Sequence, residues 1–300
     1  ANGITVGGKA MKIAYIVDST ASLSDELATR TDVFQVHLSV TFKDGSIFKD
    51  TTDEKELKSF YQRLATEKEI PKSSQPQVGE YYEVVDEIIS QGFDKIIALH
   101  IGKGISGTYQ SAEMVLNEYK EEGKLDYHLI DTNGTSFIIE HLLDQTIQLV
   151  ESGVEVEEAV EKIEELVKDT QIYLVVDDLN YLVKGGRLGA GSAFIGSLFK
   201  IKPIVYFADD GQVKPYDKVR TNSRVIKLWE SLIEEAMDKF NGKIKIAIAH
   251  GDIAEEAMQI KKRFENMYPG ISCRVGYLTP ALGVHGGIGS KGLGILPYII

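Results

Sequence analysis

Short apolar runs of strand length alternate with longer segments whose apolar residues recur at helical spacing, and the alternation persists through most of the chain. Lys12 to Val17 reads as a buried strand ending in Asp18, Ser19 and Thr20; Ser24, backed by Asp25 and Glu26, then opens a short helix as its N-cap. Val36 to Phe42 alternates like a half-buried strand and turns at Asp44-Gly45 into Ser46 to Asp50. Helical patterns cover Glu54 to Glu67 and Gly79 to Ser90. A strand follows over Lys95 to Ile101, a helix after Thr108, a strand over Tyr127 to Ile130, and helices over Ser136 to Glu151 and Val156 to Asp169. This order predicts a doubly wound α/β domain over 11–169. Ligands of such sheets collect beyond the carboxyl ends of the strands, where Asp18, Ser106 and Asp131 all fall.

The second half has a different grain. Ile172 to Val176 reads as a strand, Leu179 to Leu188 carries a Gly185-Gly186 break, and Pro203 to Phe207 with Val213 to Tyr216 form a hairpin pattern around Asp210-Gly211. Ser223 to Phe240 is a long amphipathic helix. Lys243 to Ala249, Ile253 to Met267 and Ser272 to Tyr277 read as a βαβ-like unit, and the chain closes on a glycine-rich stretch, Gly283 to Gly289, and an apolar tail. A domain boundary is expected near Asp169 to Gln171, with a second, smaller α/β domain over 170–300.

Composition narrows the class. The 300 residues are 43% apolar and 26% charged, ordinary for a globular chain, and no apolar stretch reaches the roughly 18 residues of a membrane span, so no integral membrane segment is expected. Ala1 to Ala10 lacks the features of a signal peptide and precedes Met11, which reads as a natural start, so 1–10 is expected to be an appended remnant outside the fold. The single Cys273 excludes an intramolecular disulfide and any multi-thiolate metal site, as suits a reducing, cytoplasmic setting. A net charge of -12 argues against a general nucleic-acid binder. From Tyr181 to Glu230, however, nine basic residues face four acidic ones, a local excess of five positive charges that is either a solvated face or a docking surface.

The junction at Ser106-Gly107-Thr108-Tyr109-Gln110-Ser111-Ala112 carries the sharpest chemistry. A strand-to-helix turn aligns hydroxyls with the unpaired N–H groups of the first helical turn, which together favour an anion. Gly102, Gly104 and Gly107 also spell G-x-G-x-x-G, with Asp131 at the end of the next strand, so a dinucleotide-dependent enzyme is one alternative and an acyl hydrolase using Ser106 another. The chain has no G-x-S-x-G elbow, no H-E-x-x-H and no G-x-x-x-x-G-K-[ST] loop. Of six histidines, His285 stands out because the surrounding glycines let its backbone approach a ligand. Ser73-Ser74-Gln75-Pro76-Gln77 reads on its own as a helix cap.

Taken together, Asp18-Ser19-Thr20, Ser73 to Gln77, Ser106 to Ala112, Gly185-Gly186-Arg187-Leu188 and Gly283-Val284-His285-Gly286-Gly287 resemble, in order and spacing, the motifs of the DegV family, from Met11 to the C-terminus. The resemblance implies a non-catalytic protein that binds a long-chain fatty acid. It would serve as the binding subunit of a bacterial fatty acid kinase in phospholipid metabolism, whose separate ATP-binding subunit phosphorylates the carboxylate to an acyl phosphate. It implies a Rossmann-like domain, a smaller α/β domain and an acyl chain buried between them, with no cofactor and no metal. By the same resemblance the carboxylate-binding residues are Ser73, Ser74, Ser106 and His285, supported by Asp18, Ser19, Thr20, Gly107 and Thr108. Arg187 and Arg220 correspond to arginines tied to kinase docking and phosphoryl transfer. Two positions depart from the family pattern: Ser73 stands for the usual leading Thr and Gln77 for the closing Ser or Thr.

Two physical expectations follow. His285 would serve best as a protonated, charge-assisted donor to the carboxylate, and residues 193–198, including Phe194, would line the tunnel or belong to ordinary core. Reversing Arg187 and Arg220 to Glu would leave lipid binding intact and weaken phosphoryl transfer.

Overall fold

A computed structural model describes residues 3–6, 9–188 and 200–300. The chain begins with β1 (Gly3–Val6), β2 (Lys9–Asp18), α1 (Asp25–Ala28) and β3 (Val33–Val36). It leaves this layer for β4 (Ser39–Thr41), β5 (Ile47–Lys49), α2 (Glu54–Thr66) and β6 (Lys72–Ser74), then returns through α3 (Val78–Ser90), β7 (Lys95–His100), α4 (Thr108–Glu121), β8 (Asp126–Asp131), α5 (Phe137–Glu151) and α6 (Val156–Val167). The remainder comprises β9 (Gln171–Val175), α7 (Asn180–Lys184), β10 (Lys202–Phe207), β11 (Val213–Val219), α8 (Asn222–Lys239), β12 (Ile244–His250), α9 (Ala254–Met267), β13 (Cys273–Tyr277), α10 (Pro280–Gly286) and β14 (Lys291–Pro297).

Two compact units result: one of 1–38, 75–168 and 300, the other of 39–74 and 169–299. The crossing at 168/169 is accompanied by two more, at 38/39 and 74/75, so residues 39–74 group with the C-terminal half. The second unit is thereby the larger one, where the sequence suggested the smaller. The cause of the first crossing is local. The pattern predicts one strand over Val36 to Phe42, but the Leu38 N–H is captured by Ser19 Oγ at 2.9 Å and His37 is held by Glu80 through its N–H and ring, which ends β3 and frees β4 to pair elsewhere.

In the first unit β3, β2, β7 and β8 lie side by side and parallel, with β1 folded antiparallel onto the start of β2. β2 therefore starts at Lys9, ahead of Met11. Connections leave β2 and β7 in opposite directions, so the switch point of the sheet lies between the ends of those two strands. Ile16, Val36, Tyr81, Val85, Ile88, Ile96, Val115 and Leu116 form one core layer here. At about 1.5–3 kcal/mol per fully buried large aliphatic side chain, this layer outweighs any single polar contact in the unit.

In the second unit β11, β10, β9, β14, β12 and β13 form a mixed sheet in that order, with β12 and β13 parallel as the βαβ pattern predicts. The expected hairpin is present as β10 and β11. The apolar tail is instead the central strand β14, antiparallel to both β9 and β12 and buried along nearly its whole length. Trp229, Phe264 and Ile246 anchor the core on this sheet. No described helix is long and apolar enough to cross a membrane.

Asp18 fastens the switch point. Its carboxylate is fully buried and accepts from Thr20 N (3.0 Å), Thr20 Oγ1 (2.5 Å) and Ile101 N (2.8 Å), and lies 3.1 Å from His100 Nδ1. Burial works against its charge, but these donors outweigh it and hold the carboxyl below its ordinary value. Replacing Asp18 by Ala strands those donors and should cost about 3 kcal/mol or more in urea unfolding; a loss under about 1 kcal/mol would contradict this role.

Candidate ligand-binding site

Residues 39–74 build a cradle for the C-terminal glycine-rich segment. β4 pairs with β5 and β6 in a three-stranded sheet, and α2 presents Leu57, Phe60, Tyr61 and Leu64 on one face at helical spacing. These join Val40, Phe42 and Val284 in one apolar cluster, with Tyr181 and Ile288 packed against it. Two long-range hydrogen bonds lock the segment. Tyr61 Oη donates to the Leu278 carbonyl at 2.7 Å, and Ala281 N donates to the buried Asp50 carboxylate at 2.9 Å. Thr279 holds the N-cap position of α10 but makes no side-chain cap bond, so Asp50 takes up an orphan N–H of the first turn from 231 residues away.

The product of this arrangement is the pair Ser73–His285: Ser73 Oγ lies 2.6 Å from His285 Nε2, across 212 residues of chain. His285 sits in the last turn of α10, and Ser73 is opposite Val40 in β6. Strand alternation puts Ser73 on the His285 face and Ser74, which is exposed, on the other. The two serines therefore do not converge. The Ser73 to Gln77 segment is also more than a cap: Ser73 and Ser74 are strand residues, and Gln77, at the N-cap of α3, makes no side-chain cap bond.

The His285 imidazole is neutral. Burial, reinforced by the nearby positive charge of Arg187, brings its pKa down from 6.5 to about 4, so the protonated form expected from the sequence is not populated near pH 7. Its Nδ1 is buried and has no hydrogen-bond partner among the described residues. Arg187 is half-buried, and its Nη1 donates to the Gly185 carbonyl at 2.6 Å, which keeps its charge beside this site. Arg220 is exposed in the turn between β11 and α8. Residues 193–198 lie outside the described residues.

Ser106 belongs to the first unit, at the carboxyl end of β7 beside the switch point. Its Oγ lies 2.8 Å from Thr108 Oγ1 and accepts from Thr108 N at 3.3 Å, so the turn is organised around hydroxyls and helix N–H groups, and among the described residues no histidine bonds Ser106. Gly107 does stand at the N-cap of α4, but a Cβ on it would run into Gln75 Oε1, and Gln75 Nε2 donates to Ser111 at 2.8 Å. Gln75 thus covers Gly107 at the start of α4. Asp131 accepts from Lys103 N and Asn133 N, holding the turn together. Asp18, Ser19 and Thr20 are all buried and bonded within the fold, which makes them a scaffold for this edge. Among the described residues no cluster of three or more His, Cys, Asp or Glu is placed to hold a metal ion.

The chain is a two-unit α/β protein whose second unit brings Ser73 of β6 against His285 of the glycine-rich segment. The DegV family model, described as an uncharacterised protein of that family, matches residues 12–298, and the chain belongs to the DegV family. A DegV domain-containing protein of Streptococcus pneumoniae is 32% identical over 96% of this chain and 100% of its own length. Among solved structures, a fatty acid-binding DegV family protein from Streptococcus agalactiae is 29% identical with a TM-score of 0.87, covering 97% of this chain and all of that one. DegV of Bacillus subtilis, described as a fatty acid-binding protein, is 30% identical with a TM-score of 0.83 over 96% of this chain and 99% of its own. A stearic acid-binding protein from Eubacterium ventriosum is 27% identical with a TM-score of 0.82, covering 96% and 98%.

The two histidines held near 4 set an acid limit. His250, buried at the end of β12, is also held near 4 by burial, and its Nδ1 accepts from Ile253 N. Because both bind a proton more readily in the unfolded chain, stability is full above about pH 6.5 and falls as pH drops toward 4, by up to about 3 kcal/mol per histidine. Thermal melts between pH 7 and 5 should show Tm falling with pH, and less steeply in His285→Gln; a flat wild-type profile over that window would contradict the assignment.

Proposed function

We propose that this protein binds a long-chain fatty acid, takes its carboxylate at Ser73 and His285, and presents that carboxylate to the ATP-binding subunit of a fatty acid kinase without catalysing the transfer itself. The observation that carries the reading is the Ser73–His285 pair, a neutral hydroxyl–imidazole couple built by a long-range fold contact. The solved relatives described as fatty acid-binding support the ligand class. Ser106, with the N–H groups at the start of α4, is the second proposed carboxylate contact, and Ser74 is a weaker candidate because it faces away from His285.

Magnitudes divide the work. Burying about 14 methylenes is worth on the order of 11 kcal/mol, against an association cost of roughly 4 to 15 kcal/mol. A hydrogen bond to a charged group adds only about 1.5–3 kcal/mol. The tail thus supplies affinity and the head supplies selection for an acid. The kinase role rests on the basic excess from Tyr181 to Glu230, whose exposed Arg220 suits steering of an acidic or phosphorylated partner. A cytoplasmic location fits this role.

Denaturing the purified protein and extracting it for mass spectrometry should release a long-chain fatty acid; recovery of a nucleotide, or of no lipid after loading, would overturn the reading. Ser73→Ala should weaken fatty acid binding about tenfold or more without abolishing it, and the methyl ester of the same acid should bind no better to wild type than the acid does to the variant. Arg220→Glu should leave fatty acid affinity unchanged and slow acyl phosphate formation by the kinase subunit. A loss of lipid binding in that variant would move Arg220 into the lipid site. Arg187 is a poorer choice for that test, because its charge bears on His285.

A further inference from the structure

Gly185 lies against the imidazole of His285: a Cβ built on it would collide with His285 Nδ1 and stand 2.8 Å from Cε1. Only a residue without a side chain leaves the ring where it meets Ser73. The carbonyl of the same glycine binds the Arg187 guanidinium, whose positive charge is felt by the ring. Nδ1 itself is buried with no partner among the described residues. A neutral imidazole carries one N–H and one lone pair, and the hydrogen bond made by one nitrogen decides which is which. Placing the proton on Nδ1 would bury an unsatisfied N–H. Placing it on Nε2 gives it an acceptor in Ser73 Oγ and leaves only a lone pair at the unpartnered Nδ1.

Building on the carboxylate-binding reading, we propose that Gly185 is a positioning residue that fixes His285 as the Nε2–H tautomer, so that the ring donates to Ser73 Oγ and the Ser73 hydroxyl proton is left for the ligand. The carboxylate is then held at the end of a directed chain, imidazole N–H to serine oxygen and serine O–H to carboxylate. No proton is transferred in this chain. In the opposite tautomer Ser73 would spend its proton on the ring and offer the carboxylate only a lone pair.

Nitrogen NMR of the full chain, labelled at histidine, tests the tautomer with and without bound palmitate. His285 should show a protonated Nε2 and an unprotonated Nδ1 in both states at pH 7; a protonated Nδ1 in either state overturns the inference even if palmitate binds normally. His285→Gln keeps an N–H near the Nε2 position and should retain palmitate affinity within about threefold, whereas His285→Ala should lose about tenfold. Equal loss in the two variants would count against the directed chain. Gly185→Ala should displace the ring, change the His285 nitrogen shifts and weaken palmitate binding about tenfold while circular dichroism shows the fold retained; unchanged shifts and affinity would remove Gly185 from the role. Failure of wild type to bind palmitate would overturn the functional reading instead, and the ligand-free spectrum would still decide the tautomer.

Discussion

The second unit depends on the packing of residues 39–74 against the segment from Leu278 to Ile288. An apolar cluster around Phe60, Tyr61 and Val284 supplies the adhesion, and two buried polar contacts, Tyr61 to Leu278 and Asp50 to Ala281, fix its register. Burial of large side chains dominates the energy, but it is not directional. Directionality comes from the hydrogen bonds, whose buried partners would each be costly to leave unpaired. Ser73 and His285 meet because both are attached to this clasp, one on β6 and one on α10.

The first unit follows the same logic at its own edge. Asp18 collects four donors at the point where strand connections diverge, and Ser19 pulls Leu38 out of the parallel sheet. Motif residues expected in a supporting role thus do structural work: they set where the chain leaves the parallel sheet and how the strand ends beside Ser106 are held. The retained charge of Asp18 and the neutrality of His285 arise from opposite balances of burial and neighbouring groups. Donors outweigh burial around the carboxylate, whereas nothing offsets burial around the imidazole and Arg187 adds to it.

Long periodic elements were legible in the sequence. The helices over 54–66, 78–90, 137–151 and 222–239, the strands at 95–100 and 244–250, and the hairpin at Asp210-Gly211 all follow from apolar spacing and turn residues. What escaped depends on partners distant in sequence. β14 lacks alternation because it is buried on both faces and carries Gly292 and Gly294, so it resembled a tail. β6 is three residues long and exists only through β4, which made Ser73 resemble a cap. The excursion of 39–74 into the second unit has no linker to announce it. The identities of Ser73, Ser106 and His285 were visible as motifs, but the charge state of His285 was not, because burial and the proximity of Arg187 are properties of the fold.

The central claim is that a fatty acid carboxylate is held by the neutral Ser73–His285 pair. Carbon NMR of a long-chain fatty acid labelled at its carboxyl carbon and bound to the protein addresses it directly. The account predicts one bound carboxyl resonance that shifts in both Ser73→Ala and His285→Ala and not in Arg220→Glu. A bound resonance identical in wild type, Ser73→Ala and His285→Ala would place the carboxylate elsewhere and contradict the account.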